Sequence, residues 1–218
     1  MIKYIYLLFT AVIFAIYYIF FLPPLFSETL TLFFKVIPMI CFIVFVALTD
    51  RGSNDAYKKW LLIGLIFCTI GDVTLRWFIF GLSSFLIGHI FYIIAFLQIK
   101  KVPTPKTATL LLLLFGIVIC GWVVGNIIKS GDLLLSVAVI TYIAIILTMA
   151  WASFQTASLT VIFGALFFLL SDSILALNRF VTDIHYSSFL IMSTYYTAQI
   201  LFTISVSKHF ANRKKMLE

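Results

Sequence analysis

The sequence is poor in charged side chains, which make up only 11% of its 218 residues, whereas 63% are hydrophobic. Soluble domains carry roughly 25% charged residues, and a globule of this length still exposes much of its surface. The deficit excludes a soluble fold and makes lipid the solvent for most side chains. We therefore expect one transmembrane domain spanning residues 1–218.

Cysteine is also rare, and the three thiols lie in separate apolar runs with no CxxC spacing. This arrangement excludes a disulfide framework and argues against a thiolate metal site. Only His89 is an intramembrane histidine, so a zinc hydrolase site with three nitrogen or sulfur ligands is missing. No G-x-S-x-G elbow and no phosphate-binding P-loop is present. The sequence therefore gives little support to these common hydrolase and nucleotide-binding chemistries.

Long apolar runs, by contrast, fill the chain. About 20 apolar residues are needed to cross a bilayer, and the backbone must be hydrogen-bonded internally. Runs without polar alternation favour helices over a barrel, so we predict an all-α bundle of eight transmembrane helices. The first run is longer than a signal peptide's apolar region, which predicts a retained span. The predicted spans are residues 3–22, 29–49, 59–79, 82–99, 107–127, 133–152, 157–177 and 187–207, with a tight turn at 153–158.

The cations, which give a net charge of +7, are spread between the apolar runs. They do not cluster into a face that would bind nucleic acid, so we expect none. Cytoplasmic loops of membrane proteins are enriched in Lys and Arg. Eleven cations fall on the side of the two termini, against three on the other, and we predict cytoplasmic termini, in the inner membrane if the source is bacterial. The eleven are Lys3, Arg51, Lys58, Lys59, Lys100, Lys101, Lys106, Lys208, Arg213, Lys214 and Lys215; the three are Arg76, Lys129 and Arg179.

An internal repeat is visible at a spacing of 100 residues. The pattern Gly64, Gly71-Asp72 and Leu75 returns as Gly164, Ser171-Asp172 and Leu175. We interpret spans 3–4 and 7–8 as related helical hairpins, in a possible 4+4 duplication.

Polar side chains inside the predicted spans are the strongest functional signal, because a charge at mid-bilayer costs about 2.5–3.5 kcal/mol on insertion scales. The catalytic candidates are Asp72 and Asp172, one in each hairpin. A pair of buried acids divides into one protonated acid and one carboxylate, which suits general acid catalysis. The other polar groups at comparable depth are Lys35, His89, Tyr92, Tyr142, Tyr195, Tyr196 and Gln199.

Structural roles remain open for each candidate. Asp72 can pair with Arg76 one turn away, and Lys35 can extend its ammonium towards the interface. Asp172 can be satisfied by Ser171 or Ser173, His89 can be a plain interhelical hydrogen bonder, and the tyrosines can be packing residues. A proton-coupled carrier also fits a repeat with buried acids, as does a lipid-binding protein without chemistry.

Four motifs in order resemble the YhhN-type lysoplasmalogenases, which are eight-span membrane proteins. They are GDVTL from Gly71, GHIFY from Gly88, SDSILALNRF from Ser171 and TYYTAQ from Thr194. One departure is that the family often has proline directly after the span-2 lysine, whereas Val36 follows Lys35 here. The resemblance nevertheless covers nearly the whole chain.

The resemblance implies hydrolysis of the vinyl ether bond of a lysophospholipid substrate, a lysoplasmalogen, to a fatty aldehyde and a glycerophospho-ethanolamine or -choline. It also implies that Asp72 and Asp172 are the catalytic pair. We expect Lys35 or Arg179 to hold the phosphate, and the remaining polar groups to orient water or the glycerol. This chemistry requires neither a metal nor an organic cofactor.

Overall fold

The computed structural model describes residues 4–21, 28–50 and 55–215, and these residues form eight α-helices without a β-strand. The all-α prediction is confirmed. Lys3, Pro23, Pro24 and Arg51 lie outside the described residues. The helices are α1 (Ile5–Phe21), α2 (Glu28–Leu48), α3 (Ala56–Thr74), α4 (Phe78–Gln98), α5 (Lys106–Lys129), α6 (Leu133–Phe154), α7 (Leu159–Phe180) and α8 (Ser187–Lys215).

Six of these helices, α2 and α4 to α8, are long and apolar enough to cross a membrane. Lipid-facing side chains on them are largely hydrophobic, as in Leu111 and Phe163, which are both exposed. The chain is therefore an integral membrane protein. The two remaining helices are shorter, α1 having 17 residues and α3 having 19.

Several helix ends differ from the predicted spans. The third span was expected to end at residue 79, but α3 ends at Thr74, where the Trp77 backbone N–H donates to the Thr74 carbonyl at 2.9 Å. Hydropathy missed this turn because Leu75 and the residues from Phe78 onward continue the apolar run. As a result, Asp72 lies two residues before the end of its helix rather than about seven. The predicted turn between the sixth and seventh spans is present at residues 155–158.

Glycine lets two helical hairpins, α3–α4 and α7–α8, pack closely at the centre of the bundle. A Cβ atom on Gly64 of α3 would overlap the ring of Tyr92 on α4. A Cβ atom on Gly164 of α7 would lie 2.7 Å from the ring of Phe202 on α8. The two hairpins meet where the Tyr92 and Phe202 ring centroids are 4.9 Å apart. Small residues thus bring the two helices of each hairpin close together, and aromatic rings form this contact between the hairpins.

A polar cluster ties the long α8 to the start of α3. Asp55 caps α3 by accepting from the Lys58 backbone N–H at 3.1 Å, and it contacts His209 at 3.1 Å and Arg213 at 3.3 Å. Burial alone would raise the pKa of Asp55, but these donors and cations together lower it below its ordinary value. The cluster explains why α8 continues as a helix beyond its apolar part.

Candidate active site

The two candidate acids come from the two central hairpins, and both are shielded from solvent. Asp72 lies near the end of α3 with its side chain 3% exposed. Asp172 lies eight residues before the end of α7 with its side chain 13% exposed. Each carboxyl has its own set of partners, so the site consists of two adjoining polar groups.

The first group is built around Asp72. The Lys35 ammonium lies 3.1 Å from one carboxylate oxygen, and the Tyr195 hydroxyl donates to the other at 2.6 Å. Lys35 therefore forms a buried ion pair rather than extending towards the interface. Arg76 is directed elsewhere, since its guanidinium lies 4.0 Å from the centre of the Trp77 ring. The pairing of Asp72 with Arg76 and the extension of Lys35 towards the interface, both considered from the sequence, are therefore wrong.

Lys35 is held in place by its backbone as well. Pro38 lies inside α2 and lacks the N–H that a regular helix would donate to the Phe34 carbonyl. At this weakened turn the Tyr196 hydroxyl donates to the Lys35 carbonyl at 2.7 Å. The neighbouring tyrosines of α8, Tyr195 and Tyr196, thus bind the acid and the lysine of one ion pair.

The second group is built around Asp172. The Tyr142 hydroxyl of α6 donates to Oδ2 of Asp172, and the Nε2 atom of His89 lies 4.0 Å from the same oxygen. His89 is fully buried, and neither of its ring nitrogens has a hydrogen-bond partner among the described residues. Ser171 and Ser173 donate instead to backbone carbonyls. The hydroxyl partner of Asp172 is therefore Tyr142, not a neighbouring serine.

Asp172 also opens onto a cavity between α4, α5, α6 and α7, here called the Asp172 cavity. Its walls are apolar apart from Tyr142, Asp172 and Ser173. The apolar lining residues are Leu75, Phe78, Leu82, Phe85, Phe115, Gly116, Ile119, Val139, Ile143, Ile146, Leu147, Leu169, Leu175, Ala176 and Phe180. Such a lining suits a hydrocarbon chain with its reactive polar end at the carboxyl.

Arg179 marks one end of this cavity. It follows Asp172 by seven residues, so both lie on one face of α7 about two turns, or ~10 Å, apart. The guanidinium lies 5.3 Å from the centre of the Phe78 ring, which packs edge-on against Phe180 at 5.4 Å. Because Phe78 and Phe180 line the cavity, the exposed Arg179 places a positive charge at its rim.

Aromatic rings separate the two polar groups. Phe168 contacts Tyr195 of the Asp72 group at 5.4 Å and His89 of the Asp172 group at 4.5 Å, measured between ring centroids. Within the part of the chain that the structure describes, no hydrogen bond joins the two carboxyls.

Tyr92 and Gln199, the two remaining candidates, form a buried pair in which the Tyr92 hydroxyl donates to Oε1 of Gln199 at 2.7 Å.

The sequence interpretation missed the apolar part of the site. It identified neither Phe168, which links the two groups, nor the α5 and α6 residues that line the cavity, such as Gly116 and Ile146. These side chains lie in uniformly apolar runs. Hydropathy does not distinguish a residue facing lipid from one facing a cavity, so no signal was available.

Known proteins resemble this chain along most of its length. Lysoplasmalogenase TMEM86A from Homo sapiens is 31% identical over 213 residues, covering 87% of this chain and 83% of that protein. Lysoplasmalogenase TMEM86B from Sus scrofa is 29% identical over 197 residues, covering 89% of this chain and 83% of that protein. No solved structure matches. Residues 30–206 match the YhhN family, and the chain therefore belongs to that family.

Proposed function

We propose that this protein is a lysoplasmalogenase that hydrolyses the vinyl ether bond of a single-chain lysophospholipid. The observation that carries the proposal is a carboxyl, Asp172, in the wall of a mostly apolar cavity and beside the buried His89. The names of the relatives support the same activity. The products would be a fatty aldehyde and a glycerophospho-ethanolamine or -choline.

Vinyl ether hydrolysis begins with proton transfer to a carbon. A proton added to the β-carbon converts the C=C–O unit into an oxocarbenium ion. Water then adds to the α-carbon and loses a proton, giving a hemiacetal that collapses to the aldehyde and the free glycerol hydroxyl. One proton is consumed and one is returned, so the protein needs one acid, one stabilising negative charge and a positioned water.

Asp172 is the proposed proton donor. It lines the cavity that would hold the alkenyl chain, and no cationic side chain of Lys or Arg pairs with it among the described residues. Tyr142 donates to Oδ2, which leaves Oδ1 to carry and deliver the proton. A buried acid held in this way acts as a general acid when its proton can reach the substrate.

Asp72 is the proposed carboxylate. The Lys35 ammonium at 3.1 Å and the Tyr195 hydroxyl at 2.6 Å both stabilise its ionised form. Its role would be electrostatic, stabilising the oxocarbenium ion across the Phe168 layer, as the charged member of a carboxyl pair does in glycosidases. Lys35 would then act on Asp72 rather than on the substrate phosphate.

Water and the head group would occupy opposite sides of the reacting bond. His89 has both ring nitrogens buried and unpartnered among the described residues, and Nε2 lies 4.0 Å from Asp172. In this proposal His89 would hold the attacking water. Arg179, exposed at the cavity rim, is the cation that would bind the phosphate. The Tyr92–Gln199 pair supports the ring layer on which His89 rests.

The membrane arrangement belongs to the same proposal. We propose that α1 and α3 also cross the bilayer, giving eight spans with both termini in the cytoplasm and, in a bacterium, an inner-membrane location. Lys58, Lys208 and Arg213 lie together at the end of the bundle that would face the cytoplasm. The close glycine packing within both central hairpins supports a 4+4 duplication.

The test compares Asp172→Asn and Asp72→Asn with Asp183→Asn, an exposed loop residue that serves as the control. Purified protein is incubated with lysoplasmenyl-ethanolamine, and aldehyde release is followed by mass spectrometry. Both site variants should lose at least about a hundredfold in turnover, the lower range for removing a general acid, while the control keeps its rate. Wild-type rates in both folded variants would refute the acid-pair mechanism.

A second measurement addresses the chemistry directly. In heavy water, proton transfer to the β-carbon should place one deuterium on the carbon next to the aldehyde carbonyl. The saturated 1-alkyl analogue, which lacks the double bond, should not be cleaved. Aldehyde without deuterium would exclude the proposed protonation step, and lipid uptake into vesicles without any cleavage would favour a carrier.

A further inference from the structure

A second apolar opening lies between α5 and α7 on the lipid-facing side of the bundle, and it is here called the tail groove. Several of its residues are exposed, among them Leu111, Leu114 and Val118. Its lining carries no charged side chain. The lining residues are Pro105, Thr107, Ala108, Leu111, Leu112, Leu114, Phe115, Val118, Phe154, Leu166, Leu169 and Leu170.

The tail groove adjoins the Asp172 cavity. Phe115 of α5 and Leu169 of α7 line both spaces, so these two side chains form a shared wall between them. Leu169 lies one turn from Asp172 on α7. The groove therefore begins at the end of the Asp172 cavity that is opposite to Arg179.

The part of the Asp172 cavity that lies beyond Asp172, on the side away from Arg179, is too short for a membrane lipid chain. Along α6 its wall continues from Tyr142, which contacts Asp172, to Leu147, five residues further on, or about 7.5 Å at 1.5 Å per residue. A chain that fills one leaflet reaches roughly 15 Å, half of the hydrocarbon thickness of a bilayer. From Phe115 back to Thr107 the groove offers about 12 Å more along α5. Together the two spaces offer about 20 Å, which is enough for a chain that fills one leaflet.

From this shared wall we infer that the tail groove takes the far half of the substrate's single hydrocarbon chain and is the lateral route from the bilayer to Asp172. The inference rests on the proposed function. The chain passes between Phe115 and Leu169, leaving the vinyl ether at Asp172 and the phosphate near Arg179. Phe115 and Leu169 thereby act as specificity-determining residues, because they must move apart for a long chain and not for a short one.

The experiment compares hexadecenyl and octenyl lysoplasmalogens, since the octenyl chain ends within the Asp172 cavity. Leu166→Trp places a bulky ring in the groove from a half-buried position on α7. The ratio of kcat/KM for the long over the short substrate should fall at least about tenfold, because losing the burial of even two methylene groups has that effect. The matched control is Phe163→Trp, on the same helix and exposed outside both linings, which should keep the wild-type ratio.

An unchanged ratio in Leu166→Trp, or the same fall in Phe163→Trp, would overturn the inference. Absence of aldehyde from either substrate with the wild-type protein would instead refute the proposed function. If Leu166→Trp does not fold, a non-cleavable alkyl lysolipid with a diazirine at its chain end is photolysed with the wild-type protein. Labels on residues 107–118 and 166–170 that unlabelled lysolipid competes away support the route. Labels elsewhere, or equal labelling by a two-chain phospholipid, contradict it.

Discussion

Replacing Lys35 with methionine should leave Asp72 buried without its ion-pair partner. At 3.1 Å, an effective dielectric constant of about 20 gives an attraction of roughly 5 kcal/mol. Removing one partner of a buried ion pair lowers the stability of a protein by about 3–5 kcal/mol. Replacing both partners by uncharged groups is often neutral. We expect Lys35→Met to lower the free energy of unfolding by about 3 kcal/mol or more, and Lys35→Met/Asp72→Asn to recover most of it.

The unfolding free energies are measured by titrating purified protein in mixed micelles with a denaturing detergent, and turnover is measured on the same samples. Turnover should stay low in the double variant although its stability returns, because Asp72→Asn removes the carboxylate. If Lys35→Met lowers the unfolding free energy by less than about 1 kcal/mol, well below the cost of removing one partner of a buried ion pair, the ion-pair reasoning is refuted. Wild-type turnover in the stable double variant would refute the electrostatic role of Asp72.

Two further predictions concern packing and capping. Gly64→Ala should lower the unfolding free energy by about 1–3 kcal/mol, the usual cost of overpacking, because its Cβ would overlap the Tyr92 ring. Gly121→Ala, with no atom within 4 Å of its Cβ, should not destabilise, and equal losses would contradict the packing argument. Asp55→Ala should cost about 1 kcal/mol at neutral pH through the lost helix cap. Since the folded pKa of Asp55 lies below its ordinary 3.8, its charge contributes fully above that pH. The difference in melting temperature between the wild-type protein and Asp55→Ala should shrink as the pH falls below 3.8 and through the folded pKa. A difference that grows in acid would contradict the lowered pKa of Asp55.

The sequence predicted the helical class and the separate importance of each buried polar residue. Lys35, Asp72, His89 and Asp172 stood out because a polar group inside an apolar run is costly and therefore rarely accidental. Their partners did not follow from the sequence. Lys35 and Asp72 lie on different helices, as do Tyr142 and Asp172, and contacts between helices depend on packing rather than on spacing along the chain.

What the sequence determined by itself is a membrane-embedded helical chain with two acids inside its apolar segments, since lipid requires helices and penalises isolated charge. Tertiary structure alone decided that Asp72 is paired with a lysine while Asp172 faces an apolar cavity. It also decided where that cavity lies, because the residues of α5 and α6 that form it are chemically the same as those facing lipid. Only the way the helices pack distinguishes the two environments.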